Sequence, residues 1–339
     1  MSALSPIEVV RAARRRPLHR RLMVLAGLVV GAVAAFWLRV LGGDYEITFG
    51  DFWRIVGGAQ IPGATFILMD SKLPRAVLGL LVGGAMGTGG ALFQTTLRNP
   101  LASSDVVGVS SGASAAAVAG LVVWHLSGWP LDLLAIAGAV AAAMLVRALA
   151  GRTGGRRLVL AGVAVAAGLV AVIQYLFTRA DVYDAQLALH WLTGSLSAAD
   201  WPTIRVLAVV LVALLPLTAY AVRAGRASEL GDDVAASVGV GPWRTDAILL
   251  CGVLLTAVSV AAAGPLSFVP FMAGPIARAL NGGRSTLVGA ALVGATVVVL
   301  ADYVGAYSLT GVDLPAGVVT GALGAPFLIW LLTTWKRSA

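Results

Sequence analysis

Residues 75–97 read RAVLGLLVGGAMGTGGALFQTTL, and Arg75 is the only charged residue among them. As an α-helix this stretch would be about 35 Å long, enough to cross the hydrocarbon core of a bilayer, which is about 30 Å thick. Gly79, Gly83 and Gly87 are spaced by four, so they share a helix face on which a neighbouring helix can approach closely. The stretch predicts a membrane-spanning helix packed inside a bundle, in preference to a dimerisation seam.

Apolar stretches of this kind recur to the end of the chain. The run at 267–280 is short for a crossing and contains Pro270 and Pro275, which favours a short or broken helix. The predicted fold is an all-α polytopic membrane protein with about ten transmembrane helices. The predicted spans are 22–41, 75–97, 105–125, 131–150, 157–179, 203–222, 245–263, 267–280, 285–304 and 314–334.

The composition agrees with this fold class. Hydrophobic residues make up 59% of the chain and charged residues 12%, and the mean hydropathy is +0.90. Soluble domains carry about 25% charged residues. The composition therefore excludes an ordinary cytosolic enzyme, a disordered tail and a nucleic-acid binder.

The basic residues predict the topology. If the N-terminus is cytoplasmic and the spans alternate, 18 of the 24 Lys and Arg residues lie on the cytoplasmic side, in agreement with the positive-inside rule. An even number of spans places both termini in the cytoplasm. Residues 1–21 then form a basic cytoplasmic N-terminus, and residues 22–339 form one transmembrane domain.

Two connections are longer than a tight turn. Residues 180–202 are predicted outside the cell, where Leu187, Leu189, Leu192 and Leu196 suggest the apolar face of a helix lying at the membrane surface. Residues 223–244 are predicted in the cytoplasm as two short helical pieces. This second loop is either a docking surface or a plain connector.

The residues for several kinds of chemistry are missing from the sequence. Neither lysine is followed by Ser or Thr, so there is no phosphate-binding P-loop, and no clustered catalytic set is evident. One cysteine and three scattered histidines give no metal-site spacing. Mid-span carboxylates, typical of ion-coupled transporters, are nearly absent. We therefore expect a non-enzymatic transport subunit without metal or cofactor, driven by another subunit; an ion-coupled secondary transporter and a membrane enzyme are the alternatives.

Six short motifs occur in order along the chain. They are KLPR at 72–75, RNPLA at 98–102, VGVSSGA at 107–113, LAGVA at 160–164, WLTGSL at 191–196, and a segment at 313–327 that begins DLPAGVVT and ends LGAPF. With these motifs the sequence resembles the FecCD family, the permease subunits of iron-siderophore, haem and cobalamin ABC importers. The resemblance covers nearly the whole chain from residue 72 onward.

The resemblance implies a type II ABC importer permease fold in the cytoplasmic membrane of a bacterium. It implies a second permease subunit, cytoplasmic ATPase subunits that bind ATP and Mg²⁺, and an extracytoplasmic substrate-binding protein. Departures from the family pattern at Lys72 and Ala306 favour a non-identical partner permease, and an identical one stays open.

The resemblance also implies roles for individual residues. Lys72 and Arg75 would dock the binding protein, although they could merely anchor a helix end at the headgroups. The outer gate would lie in loop 180–202 and the inner gate near 151–157. The gate and path residues are Gly155, Arg156, Gln174, Trp191, Gly194 and Ser195. The ATPase-coupling residues, within cytoplasmic loop 223–244, are Gly231, Asp232, Asp233, Ala235, Ala236 and Gly239.

The substrate is the least determined feature. The family often has Pro-His in the eighth span where this chain has Gly274 and Pro275. The missing histidine makes haem or cobalamin less favoured, so a ferric siderophore is the predicted substrate, moved by alternating access. Haem and cobalamin remain the alternatives. Because the iron would stay in its chelate, no metal ligand is required of this chain.

Overall fold

The computed structural model describes residues 6–151, 155–224, 242–308 and 313–335. In these residues the secondary structure is helical, without strands. The helices are α1 Pro6–Leu41, α2 Phe49–Val56, α3 Ala64–Thr96, α4 Val109–Trp124, α5 Trp129–Ala150, α6 Gly155–Phe177, α7 Val182–Thr193, α8 Trp201–Ala224, α9 Pro242–Ala263, α10 Val269–Leu280, α11 Leu287–Tyr307 and α12 Ala316–Trp335.

The ten predicted spans all correspond to helices. Eight helices in the described part of the chain are long and apolar enough to cross a membrane, and α4 and α10 are shorter apolar helices. The all-α polytopic fold with about ten spans is therefore confirmed. Successive spans reverse direction, so the bundle has two ends. The basic end carries the start of α1 and the Arg98, Arg147 and Arg284 side chains; we call the other the opposite end.

The stretch at 75–97 forms the centre of the bundle. Within α3, 78% of the most apolar window is buried, against 11% in α6 and 22% in α12. The α3 glycines explain this position: a Cβ on Gly83 or Gly87 would overlap a backbone carbonyl of α11, and one on Gly90 would overlap the Pro270 carbonyl. The expected packing inside the bundle is thus observed.

The sequence did not predict the structure of residues 42–74. Here α2 begins at Phe49, with Thr48 as its cap, and α3 begins at Ala64, eleven residues before the predicted span. Residues Ile67–Lys72 form a π-helical segment that continues into the span. This region is mixed in polarity, so an apolar-window argument overlooks it.

Helix α10 is short, as predicted, and it runs from Val269 to Leu280. Pro270 lies in its first turn, where proline is tolerated, and Pro275 lies in its interior. Helix α7 lies in the predicted loop, but the four leucines do not form one apolar face. Leu187 and Leu189 are two residues apart and therefore point to nearly opposite sides of the helix, and Leu196 lies beyond the helix end.

Candidate functional site

A buried cluster of charged side chains joins three helices near the opposite end. Asp302 of α11 accepts from Arg39 Nε of α1 at 2.5 Å through one carboxylate oxygen. Its other oxygen accepts from Arg75 Nη2 of α3 at 2.8 Å. The Arg39 and Asp302 side chains are 1% and 2% exposed. Burial without partners would be costly, so the three charges fix the relative positions of α1, α3 and α11.

The two predicted docking residues have different environments. Lys72 is buried, and its Nζ donates to the backbone carbonyls of Gly42 at 2.5 Å and Tyr45 at 2.6 Å. Its ammonium therefore holds the α1–α2 connection. The Arg75 side chain is 12% exposed and also lies 3.7 Å from the exposed Asp313 carboxylate. Arg75 is thus the member of the pair that reaches the surface, and docking stays a prediction for both residues.

The predicted outer-gate residues lie where three chain segments meet. Ser195 N donates to Ala263 O at the end of α9, and Gly317 N at the start of α12 donates to Gly194 O, both at 2.9 Å. Gly194 and Gly264 have positive φ values of 66° and 70°, which glycine adopts without strain. A Cβ on Gly317 would overlap the Thr193 carbonyl. We call this contact of α7, α9 and α12 the glycine joint.

The glycine joint is tied to the rest of the opposite end. Trp191 is half-buried on α7 and contacts the joint through its carbonyl, since a Cβ on Gly264 would lie 2.5 Å from that oxygen. Beyond Ser195 the chain enters α8, where Trp201 Nε1 donates to the Met69 carbonyl at 2.8 Å. The connection 194–200 is therefore held at both ends.

The remaining predicted path residues are not part of this joint. Gln174 lies exposed on α6, among the apolar side chains of that helix. Gly155 and Arg156 lie at the start of α6, at the basic end. Both α6 and α12 leave most of their apolar surface uncovered within this chain.

The predicted coupling residues Gly231, Asp232, Asp233, Ala235, Ala236 and Gly239 lie outside the described residues. Their neighbours at the basic end are described. Arg244 Nη1 donates to the Ala224 carbonyl at 2.9 Å, and Arg147 Nε of α5 donates to Asp246 of α9 at 2.7 Å. These contacts hold the end of α8 and the start of α9, which flank the predicted coupling loop.

A buried amide links α3 to α10. Gln94 is 1% exposed, and its Nε2 donates to the Phe271 carbonyl at 3.0 Å. A Cβ at position 274 would overlap the Gln94 side-chain oxygen, so Gly274 leaves room for it. In the described part of the chain, no group of three or more His, Cys, Asp or Glu residues is placed to hold a metal ion.

Sequence reasoning missed the Arg39–Asp302 contact. Both residues lie near the ends of predicted spans. Opposite charges in otherwise apolar helices need partners, and this indicated that the two could be paired. Pairing them required knowledge that α1 and α11 are neighbours, which the order of the spans along the chain does not give.

The described residues form an all-helical, multi-pass bundle of the polytopic membrane class, in which the buried charged side chains lie near one end. A model of the FecCD transport family matches residues 20–334. The chain belongs to the FecCD transport family.

Several relatives are similar over almost their full length. The chain is 36% identical over 324 residues to the ferric enterobactin transport system permease protein FepG of Escherichia coli K12, covering 94% of this chain and 98% of the relative. It is 38% identical over 315 residues to the achromobactin transport system permease protein CbrC of Dickeya dadantii, covering 91% and 90%. It is 34% identical over 336 residues to the vitamin B12 import system permease protein BtuC of Yersinia enterocolitica, covering 96% and 97%.

A solved structure has the same fold. It is described as a metal-chelate type ABC transporter in an inward-facing conformation, and it aligns with a TM-score of 0.75 at 22% identity. The alignment covers 92% of this chain and 99% of the other. Together with the family match, this confirms the predicted permease fold.

Proposed function

We propose that this chain is one permease subunit of an ATP-driven importer for a ferric siderophore. The observation that carries the proposal is the similarity, over more than nine-tenths of the chain, to permeases named for ferric enterobactin and achromobactin. Cobalamin is the second candidate, because the vitamin B12 permease BtuC is 34% identical over 96% of the chain. Pro275, which stands where the family often has histidine, favours the siderophore.

The proposed orientation places the basic end in the cytoplasm and the opposite end outside the cytoplasmic membrane. The positive-inside rule supports this choice, since Arg98, Arg147, Arg278 and Arg284 all lie at the basic end. Arg75 and the glycine joint then face the compartment from which a binding protein would deliver the substrate.

The proposed energy source is a separate ATPase that binds ATP and Mg²⁺. The sequence has no P-loop of its own, and buried charged side chains in the described residues are Arg39, Lys72 and Asp302, grouped at the opposite end. A proton or sodium path would require an ionisable group at mid-depth. The conformational change of the ATPase would be transmitted to this chain through residues 227–241 and would reach the glycine joint through α9.

The proposed complex contains a second permease, ATPase subunits and a binding protein. The largely uncovered helices α6 and α12 suit a contact with the second permease, because both carry exposed apolar side chains. The substrate path would run along that contact, where α6 presents the exposed amide of Gln174.

The first test is co-purification of the tagged full chain in mild detergent, with mass spectrometry of its companions. A stoichiometric P-loop ATPase and a second permease are the expected result. The second test is uptake of radioactive iron as siderophore complexes, in cells with and without the ATPase. Uptake that persists without the ATPase but stops when the proton gradient is removed would contradict the proposal.

The coupling assignment has its own test. Asp232→Lys should abolish uptake and ATPase stimulation while leaving the amount of assembled permease unchanged, because it reverses a charge on the proposed docking loop. The control is Arg223→Glu, which reverses the charge of an exposed side chain of α8 without breaking a described ion pair. Asp246→Lys would be unsuitable, because Asp246 is paired with Arg147. Normal uptake in the Asp232 variant would refute the assignment.

A further inference from the structure

A cavity of about 780 Å³ lies at the basic end of the bundle, lined by residues of α1, α3, α8, α9, α10 and α11. Four arginines from four separate segments line it: Arg21 of α1, Arg98 after α3, Arg278 in the last turn of α10, and Arg284 between α10 and α11. No Asp or Glu is among the described residues that line it. The cavity is therefore a concentrated positive site.

The positive-inside rule explains why arginines lie at this end, but it does not explain why four of them converge. Like charges placed close together repel, and a purely structural role would pair them with acids. Arg147 at the same end is paired in this way with Asp246. By contrast, Arg278 and Arg284 form no ion pair with any described residue. Because no described residue supplies the counter-charge to Arg278 or Arg284, the site is suited to an anion from outside the described part of the chain.

The turn that carries Arg284 is held in place by buried polar side chains. Asn281 is 6% exposed, and its Nδ2 donates to the Arg284 carbonyl at 3.1 Å. Thr286 is 8% exposed and caps α11 by accepting from Gly289 N at 3.0 Å. A Cβ on Gly282 would lie 2.8 Å from Arg20 Cζ, so a fifth guanidinium packs against the turn. The site is preformed, and the start of α11 adds to its positive potential.

The rest of the lining is mixed. Six residues are polar and uncharged, namely Gln94, Thr95, Thr96, Asn281, Ser285 and Thr286. Hydrocarbon surface comes from Val222 of α8 and from Leu287 and Val288 at the start of α11. A small inorganic anion would leave this surface uncovered, whereas a molecule with a charged head and an apolar body would cover both parts. Basic pockets between helices at a membrane surface are known to bind anionic lipid headgroups.

We propose that this cavity binds the headgroup of an anionic phospholipid. The arginines hold the phosphodiester oxygens through charge-assisted hydrogen bonds, and the apolar wall contacts the glycerol backbone and the first methylenes. Arg278 and Arg284 lie on two different segments, which suits a lipid with two phosphates, of the cardiolipin type, better than one with a single phosphate. The proposal rests on the placement of the chain in a membrane and not on the identity of its substrate.

The test is native mass spectrometry of the full chain, purified in mild detergent and titrated separately with cardiolipin, phosphatidylglycerol, phosphatidylcholine and inorganic phosphate. The wild-type chain should bind cardiolipin at least tenfold more tightly than phosphatidylcholine. Arg278→Gln with Arg284→Gln should weaken cardiolipin binding about 30-fold, from the usual contribution of two basic residues near a membrane surface. Arg278→Lys with Arg284→Lys should retain most of the binding.

The matched control is Arg223→Gln, compared with Arg284→Gln alone, because each removes one exposed charge at the basic end and Arg223 does not line the cavity. It should leave cardiolipin binding within about threefold of the wild type.

Equal losses in the two glutamine variants, or equal affinity for cardiolipin and phosphatidylcholine, would overturn the proposal. Displacement of cardiolipin by millimolar phosphate would reassign the site to a free anion. Unchanged lipid binding together with loss of the ATPase from the complex would reassign it to an acidic protein segment.

Discussion

Arg39 and Asp302, 263 residues apart in the chain, are joined by a hydrogen bond of 2.5 Å in a site from which solvent is excluded. Asp302 is shared with Arg75, so one carboxylate serves two guanidiniums. Its removal would leave the buried Arg39 without a carboxylate partner and Arg75 with only the exposed Asp313. The bundle therefore depends on a polar contact at the point where α1 joins it.

We expect Asp302→Asn to destabilise the folded subunit by about 3–5 kcal/mol, the usual cost of removing one partner from a buried ion pair. Thermal unfolding of the detergent-solubilised chain measures the effect. Asp246→Asn is the matched control, because the Arg147–Asp246 side chains are 34% and 43% exposed and such pairs contribute about 1 kcal/mol or less. Equal shifts in the two variants would contradict the role given to Asp302.

A second prediction concerns the close approach of α3 and α10. Gly90→Ala should prevent correct packing, because its Cβ would overlap the Pro270 carbonyl and neither backbone can move without displacing its helix. Size-exclusion chromatography of the fluorescently tagged chain should show aggregation or loss of the monodisperse peak.

Gly31→Ala in α1 is the control for that change. No atom lies within 4 Å of a Cβ at this position, and alanine is favoured over glycine in a helix interior. The monodisperse peak should be preserved. A well-behaved Gly90 variant would mean that the α3–α10 contact is looser than the structure indicates.

The glycines of α3 show which features of the fold can be predicted from the sequence alone. The spacing of Gly79, Gly83 and Gly87 predicts a close helix contact, and the apolar periodicity predicts the number and order of the spans. Neither pattern identifies α11 as the neighbour, so the Arg39–Asp302 pair could not be found. The amphipathic segment Phe49–Val56 is too short for a membrane window and was overlooked for that reason.

The sequence predicted the location of the candidate site but not its contacts, because it does not show which helices are neighbours. The WLTGSL motif located the outer loop, but the contact of Gly194 with Gly317 depends on how α7, α9 and α12 converge. Lys72 was expected at the surface from its position beside Arg75. It is buried instead, because the π-helical segment Ile67–Lys72 turns its side chain towards the carbonyls of Gly42 and Tyr45.

A third prediction tests the glycine joint as part of the outer gate. Gly317→Ala should lower substrate uptake at least tenfold with little change in assembly, because its Cβ would push the start of α12 away from the Thr193 carbonyl. Gly321→Ala, one turn further along α12, meets only the Ser267 Cβ at 3.9 Å and should transport normally. Equal uptake by the two variants would remove the joint from the mechanism.

The fourth prediction concerns how Arg75 would engage a binding protein. Its guanidinium lies 3.7 Å from the Asp313 carboxylate, and the Asp313 side chain is 56% exposed. An incoming carboxylate would compete with Asp313 for the same donor, while Asp302 keeps its own hydrogen bonds to Arg75. Asp313→Asn should therefore tighten the complex with the binding protein by up to about fivefold, the range expected for an exposed pair.

Surface plasmon resonance on the permease complex in nanodiscs measures that affinity at low and at high salt. The gain should shrink at high salt, since the competing interaction is electrostatic and solvent-exposed. Asp181→Asn, which removes the same charge from the exposed N-cap of α7, controls for the change in overall potential and should give a smaller gain. If the Asp313 variant binds no more tightly than the Asp181 variant, Asp313 does not compete for Arg75, and the docking contact must be sought elsewhere on the opposite end.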